Sequence, residues 1–247
     1  MISFTSEQRF IVTGASSGLG EAAALLLNEL GASVIGIARN QERLEAMKAT
    51  AKYPENVFLE QKDLTENIKG LPAYVKALKE KYGKFQGLAY CAGISQIQPL
   101  QFLDYNDLKK IFDINYFAPV LMIKGVADKR CNIGAGTSIV AIASIAAFAR
   151  DKGHLSYAGS KAALSASLKC ISKEVIGRGI RVNCVSPSNI KTPMNTGMED
   201  YEESQKNLYP LGFGETKDVA NMIAFLLSDK AKFISGQNYV IDSGGVL

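Results

Sequence analysis

The 247-residue sequence predicts an α/β fold: a single doubly wound, Rossmann-type domain over 1–247, with a seven-stranded parallel sheet flanked by helices. Three observations predict it. Short apolar runs alternate with longer helix-favouring stretches from end to end with no break in composition, the pattern of repeated strand–helix–strand units with right-handed crossovers. Hydrophobic residues make up 47% of the chain and charged residues 21%, enough apolar material for a sheet covered on both faces. The first apolar run breaks into glycines at Gly14, Gly18 and Gly20 just before a helical stretch.

In chain order, the run FIVT gives a strand over 9–13, and EAAALLLNEL after the glycines gives a helix over 18–30. Strands follow over 33–38, 56–60, 86–91, 137–143, 180–185 and 237–241, with helices over 41–52, 66–82, 104–126, 156–177 and 216–228 between them. In such a sheet, ligands belong at the carboxyl ends of the strands. The glycine turn is the arrangement of a dinucleotide site, where small residues let backbone amides approach a pyrophosphate at a helix N-terminus.

Composition also excludes several classes. The net charge of +4 is mild and its Lys and Arg residues are scattered, which argues against nucleic acid. The N-terminus lacks a basic segment followed by a long apolar core, so no secretory signal is expected. No apolar run reaches the ~18 residues of a membrane span. Cys91, Cys131, Cys170 and Cys184 are too far apart for C-x-x-C motifs, so free thiols in a reducing cytoplasm and no metal are expected.

The chemistry concentrates at Ser144, Tyr157 and Lys161 in SIAAFARDKGHLSYAGSK. On a helix, Lys161 is the i+4 neighbour of Tyr157, which sets an ammonium beside a phenol. Lowering a phenol pKa from ~10 to ~7 needs about 4 kcal/mol. One cation ~4 Å away at an effective dielectric of ~20 supplies that order. Such a pair can donate a proton to a carbonyl oxygen. His154, the only histidine, lies in a polar loop three residues before Tyr157 and is read as solvated or substrate-lining, outside the catalytic set.

Together these residues resemble the short-chain dehydrogenase/reductase family. Its T-G-x-x-x-G-x-G pattern is met by Thr13, Gly14, Gly18 and Gly20, and its Y-x-x-x-K by Tyr157 and Lys161, with Ser144 thirteen positions before the tyrosine. Asp63 in KDLT, Cys91-Ala92-Gly93 in place of Asn-Ala-Gly, Asn115 in IFDINYFAP, the loop PSNIKTPM and the closing ISGQNYVIDSGG match further along almost the whole chain.

The resemblance implies hydride transfer between a nicotinamide cofactor and a carbonyl or secondary alcohol. Tyr157 would be the general acid/base, Ser144 would bond the substrate oxygen, Lys161 would hold the nicotinamide ribose, and Asn115 would hold a relay water. Cofactor contacts are expected from Gly14, Ser16, Ser17, Gly18, Leu19, Gly20, Arg39, Asp63, Leu64, Ala92, Gly93, Tyr157, Lys161, Pro187, Ile190 and Thr192. After the second strand stands Arg39 and no carboxylate before Glu42, which predicts NADP(H) over NAD(H). Two departures stand out. Cys91 removes an amide that steadies the central strand, leaving backbone contacts through Ala92 and Gly93, and Ser188 replaces a glycine after Pro187.

Specificity is expected from the loops Ile94 to Leu103, Ala146 to Ser156 and Met194 to Phe213. They carry no strong anion-binding signature, which favours a small or medium neutral ketone or its alcohol. The main rival substrate is a 3-oxoacyl thioester on an acyl carrier protein, docked through Lys129, Arg130 and Arg178. A different class, a nucleotide-binding regulator with little chemistry, is opposed by the intact Ser144, Tyr157 and Lys161. The apolar helices expected over 104–126 and 156–177 resemble those through which the family assembles, which implies a homotetramer, with a dimer as the alternative.

Overall fold

A computed structural model describes residues 1–149, 152–192 and 207–245. The expected substrate loop from Met194 to Phe213 therefore lies outside the described residues up to position 206. The elements run β1 (Arg9–Thr13), α1 (Gly18–Glu29), β2 (Ser33–Ala38), α2 (Gln41–Thr50), β3 (Val57–Gln61), α3 (Leu71–Tyr82), β4 (Gly87–Tyr90), α4 (Tyr105–Phe112), α5 (Ala118–Val126), β5 (Ser138–Ile142), α6 (Leu155–Val175), β6 (Arg181–Pro187), β7 (Ile190–Lys191), β8 (Gly214–Glu215), α7 (Thr216–Leu227) and β9 (Asn238–Ile241).

Seven strands form one parallel sheet in the order β3-β2-β1-β4-β5-β6-β9. The order reverses between β1 and β4, which opens a crevice at their carboxyl ends. Alternate residues of each strand feed the two faces. Phe10, Val12, Val34 and Val140 pack against Leu27 of α1 and Val219 and Ile223 of α7. Ile11, Ile35, Leu88, Ile139 and Val182 pack against Val75 of α3, Met122 of α5 and Leu164 and Leu168 of α6. Burial on both faces explains why these strands are nearly all apolar.

Two expected helices differ from their predicted spans. The helix expected over 66–82 begins only at Leu71, because Asn67 is left-handed at φ 52° and Pro72 fits only a first helical turn. The helix expected over 104–126 is not continuous. It opens with a capping box in which the Asp104 carboxylate accepts from the Asp107 N–H at 2.9 Å. It then widens into a π turn over Asp113–Phe117, where the Ala118 N–H reaches back to the Asp113 carbonyl. Pro119 has no N–H to give the Asn115 carbonyl four residues back, so an α-helical ladder cannot continue through this point. The short parallel pair β7–β8 had no sequence signal; Ile190 and Lys191 align with Gly214 and Glu215 across it. Among the described residues no helix is long and apolar enough to cross a membrane. All four cysteines are free, and no group of metal-ligating side chains is present among the described residues.

Candidate active site

The residues expected to hold cofactor or carry the chemistry fall at or just beyond the carboxyl edge of the sheet, whereas Lys129, Arg130 and Arg178 precede the amino ends of β5 and β6. At the end of β1, Gly14 takes φ +69° and Gly18 φ +58°, conformations that favour glycine. A Cβ on Gly20 would lie 2.3 Å from the Gly14 carbonyl oxygen, so only glycine lets the helix start pack on the turn. Gly20→Ala is expected to cost about 1–3 kcal/mol of stability through overpacking, read as a lower unfolding midpoint; an unchanged midpoint would show that the turn is not so tight. Ser17 is the N-cap of α1 but makes no side-chain cap bond, which leaves the first-turn N–H groups open to an anion. Ser16, Ser17 and Leu19 are half-buried along this turn.

The Thr13 hydroxyl oxygen accepts from the Cys91 N–H at 3.0 Å and the Ala92 N–H at 3.1 Å, tying the ends of β1 and β4 together. That bond steadies the central strand where Cys91 offers no amide. Thr13 was read from the sequence only as part of a motif. Burial pushes the Cys91 thiol up to about 12, with Lys161 opposing, so it is a packing residue rather than a reactive thiolate. Gly14 also needs to be small here: a Cβ would meet Ala92 backbone atoms at 3.1 Å.

Arg39 follows β2 with its side chain 73% exposed, and its Nη1 stands 4.0 Å from Oδ2 of Asp63 beyond β3. Burial raises the Asp63 pKa, but hydrogen bonds from the Thr65 hydroxyl and N–H, together with Arg39 and Lys62, more than offset it and leave a carboxylate. Leu64 beside it is buried. An exposed guanidinium and a hydrogen-bonded carboxylate thus flank the glycine turn.

Ser144 ends β5 in extended backbone, and its Oγ accepts from the Ala146 N–H at 3.1 Å. The same side chain hydrogen-bonds Tyr157. Tyr157 is the third residue of α6, and Lys161 follows one turn later with Nζ 5.9 Å from the Tyr157 ring centroid. The Lys161 Nζ donates to the Ile142 carbonyl at 2.8 Å, is only 4% exposed, and has no carboxylate partner among the described residues. Burial therefore pushes the lysine down to about 8.

Burial, rather than the neighbouring charge, dominates the electrostatics of Tyr157. Burial holds the Tyr157 phenol above its ordinary value, and the opposing influence is the Ser144 hydrogen bond. The physical reason is desolvation: the strongest effect on both groups is removal from water, which disfavours phenolate and ammonium alike.

Asn115 lies buried in the π turn. Its side-chain oxygen accepts from the Ile94 N–H at 3.1 Å, and its Nδ2 donates to the Ile94 carbonyl at 2.9 Å and to Ser160 Oγ at 3.2 Å. The side chain is thus occupied in fastening the loop after β4 to α6. Its main-chain carbonyl loses the α-helical donor four residues on, because Pro119 has no N–H. The Tyr90 hydroxyl donates to the neighbouring Ile114 carbonyl at 3.0 Å, so the π turn is pinned from below. Gly93 fits over both groups: a Cβ there would stand 2.9 Å from Asn115 Oδ1 and 3.3 Å from Lys161 Nζ. Ser160 and Tyr90 were missed by sequence reasoning; only the position of Ser160 beside Lys161 on α6 hinted at a role.

Beyond β6, Pro187 leads to Ser188, whose N–H donates to the Ile241 carbonyl at 2.9 Å. Ser188 Oγ lies 2.8 Å from the Tyr209 hydroxyl, which also accepts from Asn189 Nδ2 at 3.1 Å. The serine in place of glycine is thereby engaged by a tyrosine that the sequence did not mark. Ile190 is buried and Thr192 half-buried at the end of this loop. The structure thus brings Ser144, Tyr157, Lys161, Asn115 and Gly93 into one cluster. The glycine turn, Arg39 and Asp63, and the 187–192 loop stand at other strand ends of the same sheet edge.

Residues 14–245 match the family model described as Enoyl-(Acyl carrier protein) reductase. The 3-oxoacyl-(acyl-carrier-protein) reductase FabG of Thermotoga maritima is 32% identical over 243 residues, covering 96% of this chain and 97% of its own. The L-xylulose reductase of Caenorhabditis elegans is 31% identical over 244 residues, covering 97% and 96%. A crystal structure from Brucella melitensis, a short-chain dehydrogenase/reductase of the glucose/ribitol dehydrogenase type, matches with a TM-score of 0.92 at 26% identity and covers 100% of both chains. The chain belongs to the short-chain dehydrogenase/reductase family. Another structure of the family, a short-chain dehydrogenase from Burkholderia cenocepacia in complex with NADP, superposes with a TM-score of 0.88 at 28% identity over 97% of this chain and 98% of its own.

The nicotinamide dinucleotide that the family uses fits the residues present. A Cβ would fill the glycine cradle at Gly14 and Gly20, Ser17 makes no side-chain cap bond at the α1 N-terminus, and the buried Lys161 ammonium has no carboxylate partner among the described residues, a place that ribose oxygens would partly take.

Proposed function

We propose that the protein is an NADP(H)-dependent oxidoreductase acting on a carbonyl or secondary alcohol of a small or medium substrate. The observation that carries this reading is the Ser144–Tyr157 hydrogen bond held one helical turn from a buried, carboxylate-free Lys161. The glycine turn and α1 N-terminus would hold the pyrophosphate, Asp63 and Leu64 the adenine, Ala92 and Gly93 the adenosine side, and Pro187, Ile190 and Thr192 the nicotinamide end. Bound there, the nicotinamide supplies or accepts the hydride.

The chain's own residues handle the proton. Ser144 Oγ, fixed by the Ala146 N–H, orients the substrate oxygen toward Tyr157. Tyr157 Oη gives its proton to that oxygen in reduction and takes it back in oxidation. A phenol held protonated by burial is well suited to donate. Lys161 holds the ribose and steadies the phenolate as it forms, and Asn115 holds the water through which the proton is replaced.

Arg39 selects the cofactor. An exposed guanidinium past β2 offers forked donors to a 2′-phosphate. Arg39→Ala is expected to raise KM for NADPH roughly 10-fold or more, the scale of a lost charge-assisted bond, and to leave KM for NADH nearly unchanged. An unaltered NADPH/NADH ratio would remove Arg39 from this role.

A 3-oxoacyl thioester on an acyl carrier protein is the second reading, supported by FabG-named relatives such as those of Thermotoga maritima and Rickettsia conorii. The basic patch offered for docking is weaker than its composition, since Arg130 is clamped by Asp128 and Arg178 Nη1 is spent on the Ala127 carbonyl. Comparing rates on an acetoacetyl thioester, on its carrier-protein conjugate and on free ketones separates these readings. Tight cofactor binding with no turnover on any of them would favour a regulator. The exposed Phe102, Tyr105 and Phe117 around α4 support assembly through this helix, so light scattering is expected to give a homotetramer, and we place the protein with its four free thiols in the cytoplasm.

A further inference from the structure

The loop after β6 begins beside the reacting cluster. Ile142 and Val185 stand opposite one another, and the Ala143 N–H donates to the Val185 carbonyl at 2.8 Å, so Ser144 and Pro187 leave neighbouring strands side by side. The glycine turn after β1 is three strands away, roughly 14 Å at the usual strand spacing. A dinucleotide laid along this edge meets the glycine turn with its pyrophosphate and the 187–192 loop with its reacting end.

That loop carries an anchor peculiar to this chain. Tyr209, only 7% exposed, brings its hydroxyl between two successive side chains, with Ser188 Oγ at 2.8 Å and Asn189 Nδ2 donating to it at 3.1 Å. The same two residues are held by their backbones: the Ser188 N–H donates to the Ile241 carbonyl and the Asn189 carbonyl accepts from the Gly214 N–H at 3.0 Å. Tyr209 itself stands on a firm base. Its ring packs edge-on against Phe213 with centroids 5.1 Å apart, the Leu211 N–H donates to Ser243 Oγ at 2.7 Å, and α7 starts at Thr216. A glycine at 188 would offer this tyrosine no hydroxyl and would leave the loop more freedom.

We propose that Tyr209 is a positioning residue for the nicotinamide end of the cofactor: its hydroxyl latches Ser188 and Asn189 so that the loop is already set where that end binds. A loop held in its bound conformation has less freedom to lose on binding, so the latch tightens the nicotinamide half and leaves the adenosine half alone. Tyr209 takes no part in moving hydride or proton; it acts through the loop. This rests on the reading of the chain as a nicotinamide-dependent carbonyl reductase and adds to it a residue that the sequence motifs do not mark.

The test sets NADPH against 2′,5′-ADP, which carries the adenosine half with its 2′-phosphate and no nicotinamide, each titrated into the protein by calorimetry. Tyr209→Phe removes the hydroxyl and keeps the ring on Phe213. Its Kd for NADPH is expected to rise about 5- to 30-fold, the scale of one or two lost hydrogen bonds, while its Kd for 2′,5′-ADP stays within about two-fold of wild type. Ser188→Ala keeps the backbone and deletes the other end of one bond, so it should weaken NADPH several-fold. The double variant should then lose less than the product of the two single losses, because both substitutions break the same contact. Equal weakening of both ligands together with a lower unfolding midpoint would mark the hydroxyl as a fold contact and overturn the proposal. No weakening of either ligand, or single losses that multiply in full, would overturn it as well. Binding is read without turnover, so the two readings fail separately. Wild type that reduces no carbonyl but shows the contrast between the ligands would sink the reductase reading alone; an active enzyme without that contrast would sink the latch alone.

Discussion

Tyr157→Phe is expected to lower kcat by about 10²–10⁴-fold, the range contributed by a positioned general acid, while leaving NADPH affinity within a few-fold of wild type. The substitution removes one oxygen from a side chain anchored along the first turn of α6, so the helix and the Lys161 contact to Ile142 remain. Ser144 loses its hydroxyl partner but keeps the Ala146 N–H. Parallel measurement of turnover and of cofactor binding by fluorescence checks both halves. Turnover retained within 10-fold would mean that Ser144 or water delivers the proton and that burial of the phenol serves packing alone.

Lys161→Met is expected to separate stability from activity. The lysine is pushed down to about 8 because it is buried without a carboxylate. Its folded value lies below its unfolded value of about 10.4, so the native state binds fewer protons between the two. Wild-type stability should therefore rise with pH from about 8 toward 10.4, as the penalty on the buried ammonium is relieved. Below pH 8 that penalty is present in full and is of the order of 3 kcal/mol. Methionine removes it, loses the bond to the Ile142 carbonyl worth about 1–3 kcal/mol, and keeps the apolar stem. At pH 7 the variant should be no less stable than wild type, its stability should lack the alkaline rise, and its turnover should fall by two orders of magnitude or more, about 3 kcal/mol in the barrier. Urea unfolding at pH 7 and 9.5 with assays of activity tests this. A variant clearly destabilised at pH 7 that keeps the wild-type pH slope would show that the ammonium is better solvated than its surroundings indicate.

Most of the scaffold was legible because its signals are local. β1, β2, β4, β5 and β6 are buried on both faces, so their apolar runs stand out, and the glycines at 14, 18 and 20 mark the turn through conformational demands that a sequence displays directly. The π turn at 113–117 was not read, because apolar periodicity runs through it; Pro119 was the one local sign. β7 and β8 are too short for any periodicity. At the site, the motif spacing brought Ser144, Tyr157 and Lys161 together, but the contacts that hold them are long-range. Asn115 meets Ile94 and Ser160 across 21 and 45 residues, and Ser188 meets Tyr209 across 21. The burial that raises the Tyr157 pKa was not legible for the same reason: a pair energy can be written from spacing, whereas desolvation belongs to the folded surroundings.

The central claim is that this chain moves hydride between NADP(H) and a carbonyl using Tyr157. The most direct test follows the absorbance of NADPH, and separately NADH, in the presence of acetoin, diacetyl, butanone and an acetoacetyl thioester, with wild-type and Tyr157→Phe protein side by side. The account predicts loss of NADPH absorbance with at least one carbonyl compound, slower loss of NADH, and near-complete silence of the mutant. Tight NADPH binding with no oxidation on any compound, or equal rates in wild type and Tyr157→Phe, would contradict it.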